Sequence, residues 1–315
     1  MAVKVGVDTG FGVKKEVAWG TPIVVDRFYE IRSESVQLQK QLIASEGLRS
    51  NRRNLNRSST YSQYNKGATG DVVFEWMNKG MAWWMEHILG ALAAPVQSPT
   101  GVYTHVGSIA STTGKSFTAQ IAKDDAPFTY HGCKVSTWEL ACGLDELLVA
   151  TIGIAAKTES TAVTEATATY PTNLAPLSFA HGALTVGATA TDITAFTLSG
   201  DHNLPERWFF GATSKEPLDQ GRTITGSFES EFEDLTIYNR FVEGVEAALV
   251  LTFTSNVDIL GASGNPYTLT INCPSVRYDG ETPNVDGPEI IAQTTPFTVL
   301  NDDMTWTIVN GDAAA

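Results

Sequence analysis

The residues of this 315-residue chain that could carry catalysis fail one after another on spacing. Gly114-Lys115-Ser116 has the ending of a phosphate-binding loop, but that loop needs a glycine where Ile109 stands, so no backbone cradle forms. Asp8-Thr9-Gly10 spells an aspartic-protease triplet, yet no second copy occurs to supply the paired carboxylate. His87, His105, His131, His181 and His202 are scattered without the HxxxH spacing that puts two imidazoles on one metal. Asp302-Asp303 reads as a turn, and no GxSxG nucleophile elbow is present. We therefore expect no enzyme, no cofactor and no metal site.

The chemistry that does repeat is an alternation of acid. In SFESEFE (227–233), Phe228, Ser230 and Phe232 point to one side of a strand and Glu229, Glu231 and Glu233 to the other. A weaker version precedes it in DVVFEW (71–76), with Val72, Phe74 and Trp76 inward and Asp71, Val73 and Glu75 outward. A solvated outer face is the ordinary fate of such carboxylates. Three in line on one strand repel one another, so the pattern suits a surface meant to be negative, such as the wall of a conduit for DNA.

The elements that would position these carboxylates come in two similar sets. Thr69-Gly70, the DVVFEW strand and an apolar stripe of Met81, Trp84, Met85, Ile88, Leu89 and Leu92 form the first. Thr225-Gly226, the SFESEF strand and a stripe of Tyr238, Phe241, Val242, Val245 and Leu249 form the second. Strand-like SFTAQI (116–121) and ALVLTFTS (248–255) follow, then regions around Cys133 and Cys273. This order predicts a duplication joined through 157–178, which lacks periodicity. Only the first set carries a long polar stretch, 44–68, read as a loop holding Arg49, Arg52, Arg53, Arg57 and Lys66 against a single Glu46. A loop that long usually binds something or is disordered, and a basic one suits the acidic body of another copy.

The charge is unevenly spread around a net −14. Residues 1–79 carry 12 basic and 8 acidic side chains, and residues 80–315 carry 9 and 27. An acidic body excludes phosphate binding in the manner of nucleic-acid or membrane-surface proteins. Hydrophobic residues at 43% and charged residues at 18% favour a real core of short strands over long charged helices. Cys133, Cys142 and Cys273 lack CxxC spacing and read as buried, reduced thiols of a protein made in the cytosol. No leader pattern opens the chain and no apolar run approaches ~18 residues, so no membrane role is expected.

Taken as an ordered set, GFGVKKEVAWGTP (10–22), RFYEIRSESVQLQKQLIASEGLR (27–49), GRTITGSFESEF (221–232) and VDGPEIIAQTTPFTVL (285–300) resemble the tail tube proteins of actinobacteriophage-like siphophages. The resemblance spans nearly the whole chain. It implies a mainly β fold of two tandem tail-tube β-sandwich or half-barrel domains, each with one packed α-helix. It further implies an N-terminal arm (1–26), a first domain (27–156), a linker (157–178) and a second domain (179–315). Neighbouring copies would join their sheets into a continuous inner barrel, with Asp71, Glu75, Glu229, Glu231 and Glu233 lining an acidic channel. The basic loop, through Arg49, Arg52, Arg53, Arg57 and Lys66, would reach the adjacent ring. Two domains per chain predict three chains per ring, a pseudo-hexamer, rather than six. Expected partners are the chain itself, a tape measure protein inside the tube, tail terminator and distal tail or baseplate proteins, and DNA in transit without specific binding. Its place would be the virion tail, after assembly in the host cytoplasm. A different reading of the same β-rich composition is a fibre, baseplate or adhesin-like module that recognises a host glycan.

Overall fold

The structure is a computed structural model that describes residues 5–54, 60–124, 126–261, 263–280, 282–285 and 287–314. In chain order the first half holds β1 (Thr9–Lys15), β2 (Arg27–Tyr29), β3 (Ser33–Glu34), β4 (Gln37–Ala44), β5 (Tyr61–Glu75), α1 (Ala82–Leu89), β6 (Gly90–Leu92), β7 (Val96–Gln97) and β8 (Tyr103–Ile109). It continues through β9 (Phe117–Lys123), β10 (Ala126–Gly143), β11 (Val149–Ala156) and β12 (Thr158–Ser160). The second half holds β13 (Gly182–Val186), β14 (Thr189–Thr191), β15 (Ala195–Asp201), β16 (Arg207–Phe209), β17 (Thr213–Lys215) and β18 (Thr223–Glu231). After it come α2 (Thr236–Glu243), β19 (Ala247–Asp258), β20 (Pro266–Tyr278), β21 (Ala292–Val299) and β22 (Thr305–Asn310).

One large antiparallel sheet dominates. Its order is β3 and β4 on β5, then β11, β10, β15, β18 and β21, with the end of β20 on β21. The chain threads β4-β5-β11-β10 and β15-β18-β21-β20 in the same way, one foursome after the other. A second layer forms because β10 and β20 are long enough to serve both. The first part of β10 pairs with β9 and β12, and β9 passes on to β1 and β2. The body of β20 pairs with β19 and β22, which lead to β13 and to β8. β10 turns between layers through two register breaks, at Tyr130/Cys133 and Val135/Thr137, with Gly132 at φ 65° between them. An irregularity of that kind bends a strand and re-aims its side chains.

Alternation fills the space between layers. Val72, Phe74, Trp138, Leu140, Ile152, Leu198 and Phe228 are buried on the inner side of the large sheet. Trp84 of α1 packs on Phe11, Phe74 and Phe117 at ring distances of 6.3, 5.3 and 5.8 Å. Trp306 of β22 meets Trp76 at 5.9 Å and Trp138 at 5.1 Å, fastening the end of the chain to the first half. Such edge and offset pairs add roughly 0.5–1.5 kcal/mol each beyond area burial. The buried Glu16 carboxylate is satisfied by donors from Gly20, Gly132, Ser116 and Thr118 at 2.8–2.9 Å.

Several elements differ from the sequence expectations. The polar stretch 44–68 is only partly loop, because Tyr61–Ala68 extends β5 and pairs with β4 as a long hairpin. Residues 1–26 include β1, whose Phe11 and Val13 are fully buried, so this segment enters the sheet instead of trailing from it. Both helices are shorter than their stripes: Leu92 lies in β6 and Leu249 in β19, since period-3.6 spacing continued by chance into strands. α1 is buried apart from Glu86, whereas α2 packs on the core through a partly buried Ile237 with no fully buried residue.

His87 yields a pH test. It lies between Trp83 and Phe117, and burial holds its pKa down at about 4. The unfolded chain binds that proton better, near ~6.5, so stability is full above that pH and is lost as pH falls toward about 4. At pH 5 this group alone costs about 2 kcal/mol. We expect the drop in unfolding free energy between pH 7 and 5, read by urea titration, to be about 2 kcal/mol smaller in His87→Gln. Equal drops would exclude this role.

Candidate functional site: an acidic sheet face

The face of the large sheet turned away from the core is built by the same alternation that fills the core. On β5, Asp71, Val73 and Glu75 point outward between the buried Val72, Phe74 and Trp76. On β18, Glu229 and Glu231 are exposed on either side of buried Ser230. Four of the five expected acidic residues therefore share one surface. Glu233 does not belong to it, because β18 ends at Glu231 and Glu233 lies in the segment leading to α2.

Two carboxylates complete the surface that the sequence reading missed. Glu139 is exposed on β10 between buried Trp138 and Leu140, and Asp201 is exposed at the end of β15. The signal was present as period-2 alternation in STWELACG and AFTLSGD, but each run holds one acid, too few to stand out. Register brings the rows into line. Asp71 opposes Gly153, Gly153 opposes Thr137 and Thr137 opposes Asp201. Asp71 and Asp201 thus sit three strands apart, roughly 14 Å, beyond the ~8 Å over which salt screens a charge. Those two are well separated, whereas Glu229 and Glu231 stand two residues apart on one strand and Glu139 lies diagonal to Asp201.

Neutral hydroxyls occupy most positions between them: Thr137, Thr151, Thr197, Ser199, Thr225, Ser227 and Thr294. Thr197 and Ser227 hydrogen-bond across strands at 2.9 Å, and Thr294 donates to the Glu229 carboxylate at 3.4 Å. Among the described residues, no Lys or Arg stands at an outward position of Asp71–Glu75, Thr137–Ala141, Val149–Gly153, Ala195–Asp201 or Thr223–Glu231. Arg32 at the border meets Glu75 at 3.4 Å. The surface is negative and hydroxylated, and an open concavity of about 520 Å³ lies on it, lined by Asp71, Thr137, Glu139, Ser199 and Asp201.

The basic residues lie elsewhere. Arg49, Arg52 and Arg53 are exposed at the tip of the β4–β5 hairpin, and Arg57 lies outside the described residues. Lys66 is on β5 and pairs with Glu206 at 2.7 Å.

None of the motifs tested for catalysis gathers partners. The Gly114 amide, which a phosphate loop would offer to its ligand, donates to the Glu216 carboxylate at 2.7 Å. Lys115 pairs with Glu86 at 2.5 Å. Asp303 accepts from Ser275 at 3.1 Å. Among the described residues no three His, Cys, Asp or Glu side chains are grouped to hold a metal, and no helix is long and apolar enough to cross a membrane. Burial pushes the thiols of Cys142 and Cys273 up to about 11 and about 12, and that of Cys133 up as well.

A broad, negative, hydroxyl-covered sheet face suits a wall. A family model described as phage tail tube protein matches residues 6–299. The chain belongs to that family. It is thus a structural phage tail protein of mainly β fold, of a kind that self-assembles into stacked tubes and resides in the virion tail. No curated protein matches the chain.

The buried thiols supply a test. A thiol held far above its ordinary ~8.5 is a poor nucleophile. Alkylation with iodoacetamide at pH 8, followed by mass spectrometry, should leave the native tube protein unmodified and label all three cysteines after unfolding. Labelling of the native form would contradict the packing around Cys133 and Cys273.

Proposed function

We propose that this tail tube protein forms the tail tube of a siphophage, with the acidic sheet face lining a channel through which DNA passes without binding. The observation carrying this reading is the six-carboxylate face itself: Asp71, Glu75, Glu139, Asp201, Glu229 and Glu231 on one sheet, with hydroxyls between and cations excluded from its centre. A phosphate backbone beside such a wall finds no Lys or Arg to displace its counterions, so it slides.

The two foursomes β4-β5-β11-β10 and β15-β18-β21-β20 support two tube units in one chain, joined through 157–178, and hence three chains per ring. About 24 strands spaced ~4.8 Å apart and tilted ~40–45° close at a backbone diameter near ~50 Å, or roughly 40 Å within the side chains. A duplex ~20 Å wide passes through that bore, with room for water and ions. Ring closure also hides the free edge that β4 leaves, which would otherwise recruit strands at random. The connection between β4 and β5, whose sequence holds Arg49, Arg52, Arg53 and Arg57, couples one ring to the next. A tape measure protein would fill the tube during assembly in the host cytoplasm, with a tail terminator at one end and distal tail or baseplate proteins at the other.

Two experiments test this reading. Replacing Arg49, Arg52, Arg53 and Arg57 by Ser should leave a folded chain that makes rings but no tubes in negative stain, because individual exposed ion pairs worth ~0–1 kcal/mol act together around a ring. Normal tubes would remove the hairpin tip from the inter-ring contact. Changing Asp71, Glu139, Glu229 and Glu231 to Lys should preserve tubes and slow DNA ejection from reconstituted virions. Unaltered ejection would take the face out of the channel, and cryo-electron microscopy of the tube counts the chains per ring directly.

A further inference from the structure

The two helices end alike and are covered differently. α1 and α2 each follow the acidic strand of their foursome, span eight residues and stop on a glycine in the left-handed region, Gly90 at φ 99° and Gly244 at φ 65°. Such an ending leaves the last carbonyls in need of donors, and their partial negative charge favours cations.

At α1 the donors come from the other half of the chain. His202, immediately after β15, has its two ring nitrogens 2.8 Å from the Ile88 carbonyl and 2.7 Å from the Val135 carbonyl, and its neutral ring donates to one of the two. Arg222, immediately before β18, donates to the carbonyls of Leu89 at 2.9 Å and Ala110 at 3.0 Å. From the loop between them, Glu216 takes the buried Lys134 ammonium at 3.0 Å, and Asp219 holds Thr112. The connection between β15 and β18 therefore closes over the end of the preceding unit's helix.

α2 lacks that cover. Leu235, Val242 and Val245 are exposed at 55%, 59% and 47%, and Phe241 is partly bare beside them. Glu243, Glu246 and Asp234 surround them with negative charge. The element equivalent to the β15–β18 connection is the β4–β5 hairpin, as β4 stands to β5 where β15 stands to β18. Gln37 opposes Thr69 as Ser199 opposes Thr225, so by count along the strand Lys40 corresponds to His202, across a register shift between Leu38 and Lys40 that β15 lacks. In its own chain this hairpin projects Leu42 and Ile43 into solvent at 55% and 56% exposure. Residues 40–66 carry six basic side chains and one acidic.

We propose that the bare face of α2 is a docking site for the β4–β5 hairpin of the next copy of this chain within the same ring. Lys40 lies against the Val242 and Glu243 carbonyls, and Leu42, two residues on along the same strand face, covers Val242 and Val245. This contact rests on the ring reading above and assigns the base of the hairpin to lateral closure, leaving its tip for the neighbouring ring.

The test is a cysteine pair, Lys40→Cys with Val242→Cys, assembled into tubes and oxidised. Non-reducing gels should show a ladder of covalent chains that stops at the number of chains per ring counted by cryo-electron microscopy. Lys40→Cys with Val96→Cys, on an exposed site away from α2, should give no ladder. Tubes that form without the interchain disulfide, a ladder that runs on past one ring, or an equal ladder from the Val96 pair would overturn the contact and leave the tube intact. Failure of the unsubstituted chain to assemble at all would overturn the ring reading and the contact with it.

Discussion

Pairing between β10 and β15 is the interaction on which the rest of the structure depends. From Thr137↔Asp201 to Gly143↔Ala195 the last strand of one foursome bonds to the first strand of the next, so the sheet crosses from one half to the other without an edge. Everything outward of it follows. The same register sets Glu139 and Asp201 on the acidic side, and it sets Trp138 and Leu198 in the core. A slip of one residue would exchange those sets, burying carboxylates and exposing indole, which makes the register hard to mistake.

The junction is also where the chain buries charge. Lys134 is 1% exposed and is held by Glu216 and the Pro217 carbonyl; His202 and Arg222 serve the end of α1. Removing one member of a buried pair leaves the other unsolvated at a cost of roughly 3–5 kcal/mol, so these groups define the arrangement more than they stabilise it. They lock the two halves at one angle. In the proposed tube wall, angle would matter more than depth of stability, since each unit would hand the sheet to the next at the same inclination.

Exposure on the two faces reflects what each has to meet. The inner side of the large sheet faces a core of indole, phenyl and aliphatic groups. The outer side is acid and hydroxyl, with little to hold a ligand and nothing to hold a phosphate. Part of the polar stretch, Tyr61–Ala68, is strand in a long hairpin, and α2 packs on the core through Ile237 while leaving Val242 exposed. Both departures fall where a neighbouring copy would sit, as expected if the ring, not the chain, is the unit that completes burial.

Local pattern alone determined a good deal. Alternation in DVVFEW and SFESEF set the inward and outward residues of β5 and β18, because a strand's two faces are dictated by its own backbone. Tertiary structure decided what depends on neighbours distant in the chain. Glu139 and Asp201 join the acidic face only because β10 and β15 lie side by side. Glu233 drops out because β18 stops two residues earlier. Tyr61–Ala68 became strand because β4 lay ready to pair, and Leu92 and Leu249 left their helices because strand partners bonded their backbones. A backbone hydrogen-bond partner elsewhere in the chain, 15 residues off for Leu92↔Gly107 and 64 for Thr137↔Asp201, leaves no mark on the local sequence, and that partner is what decides where such elements end.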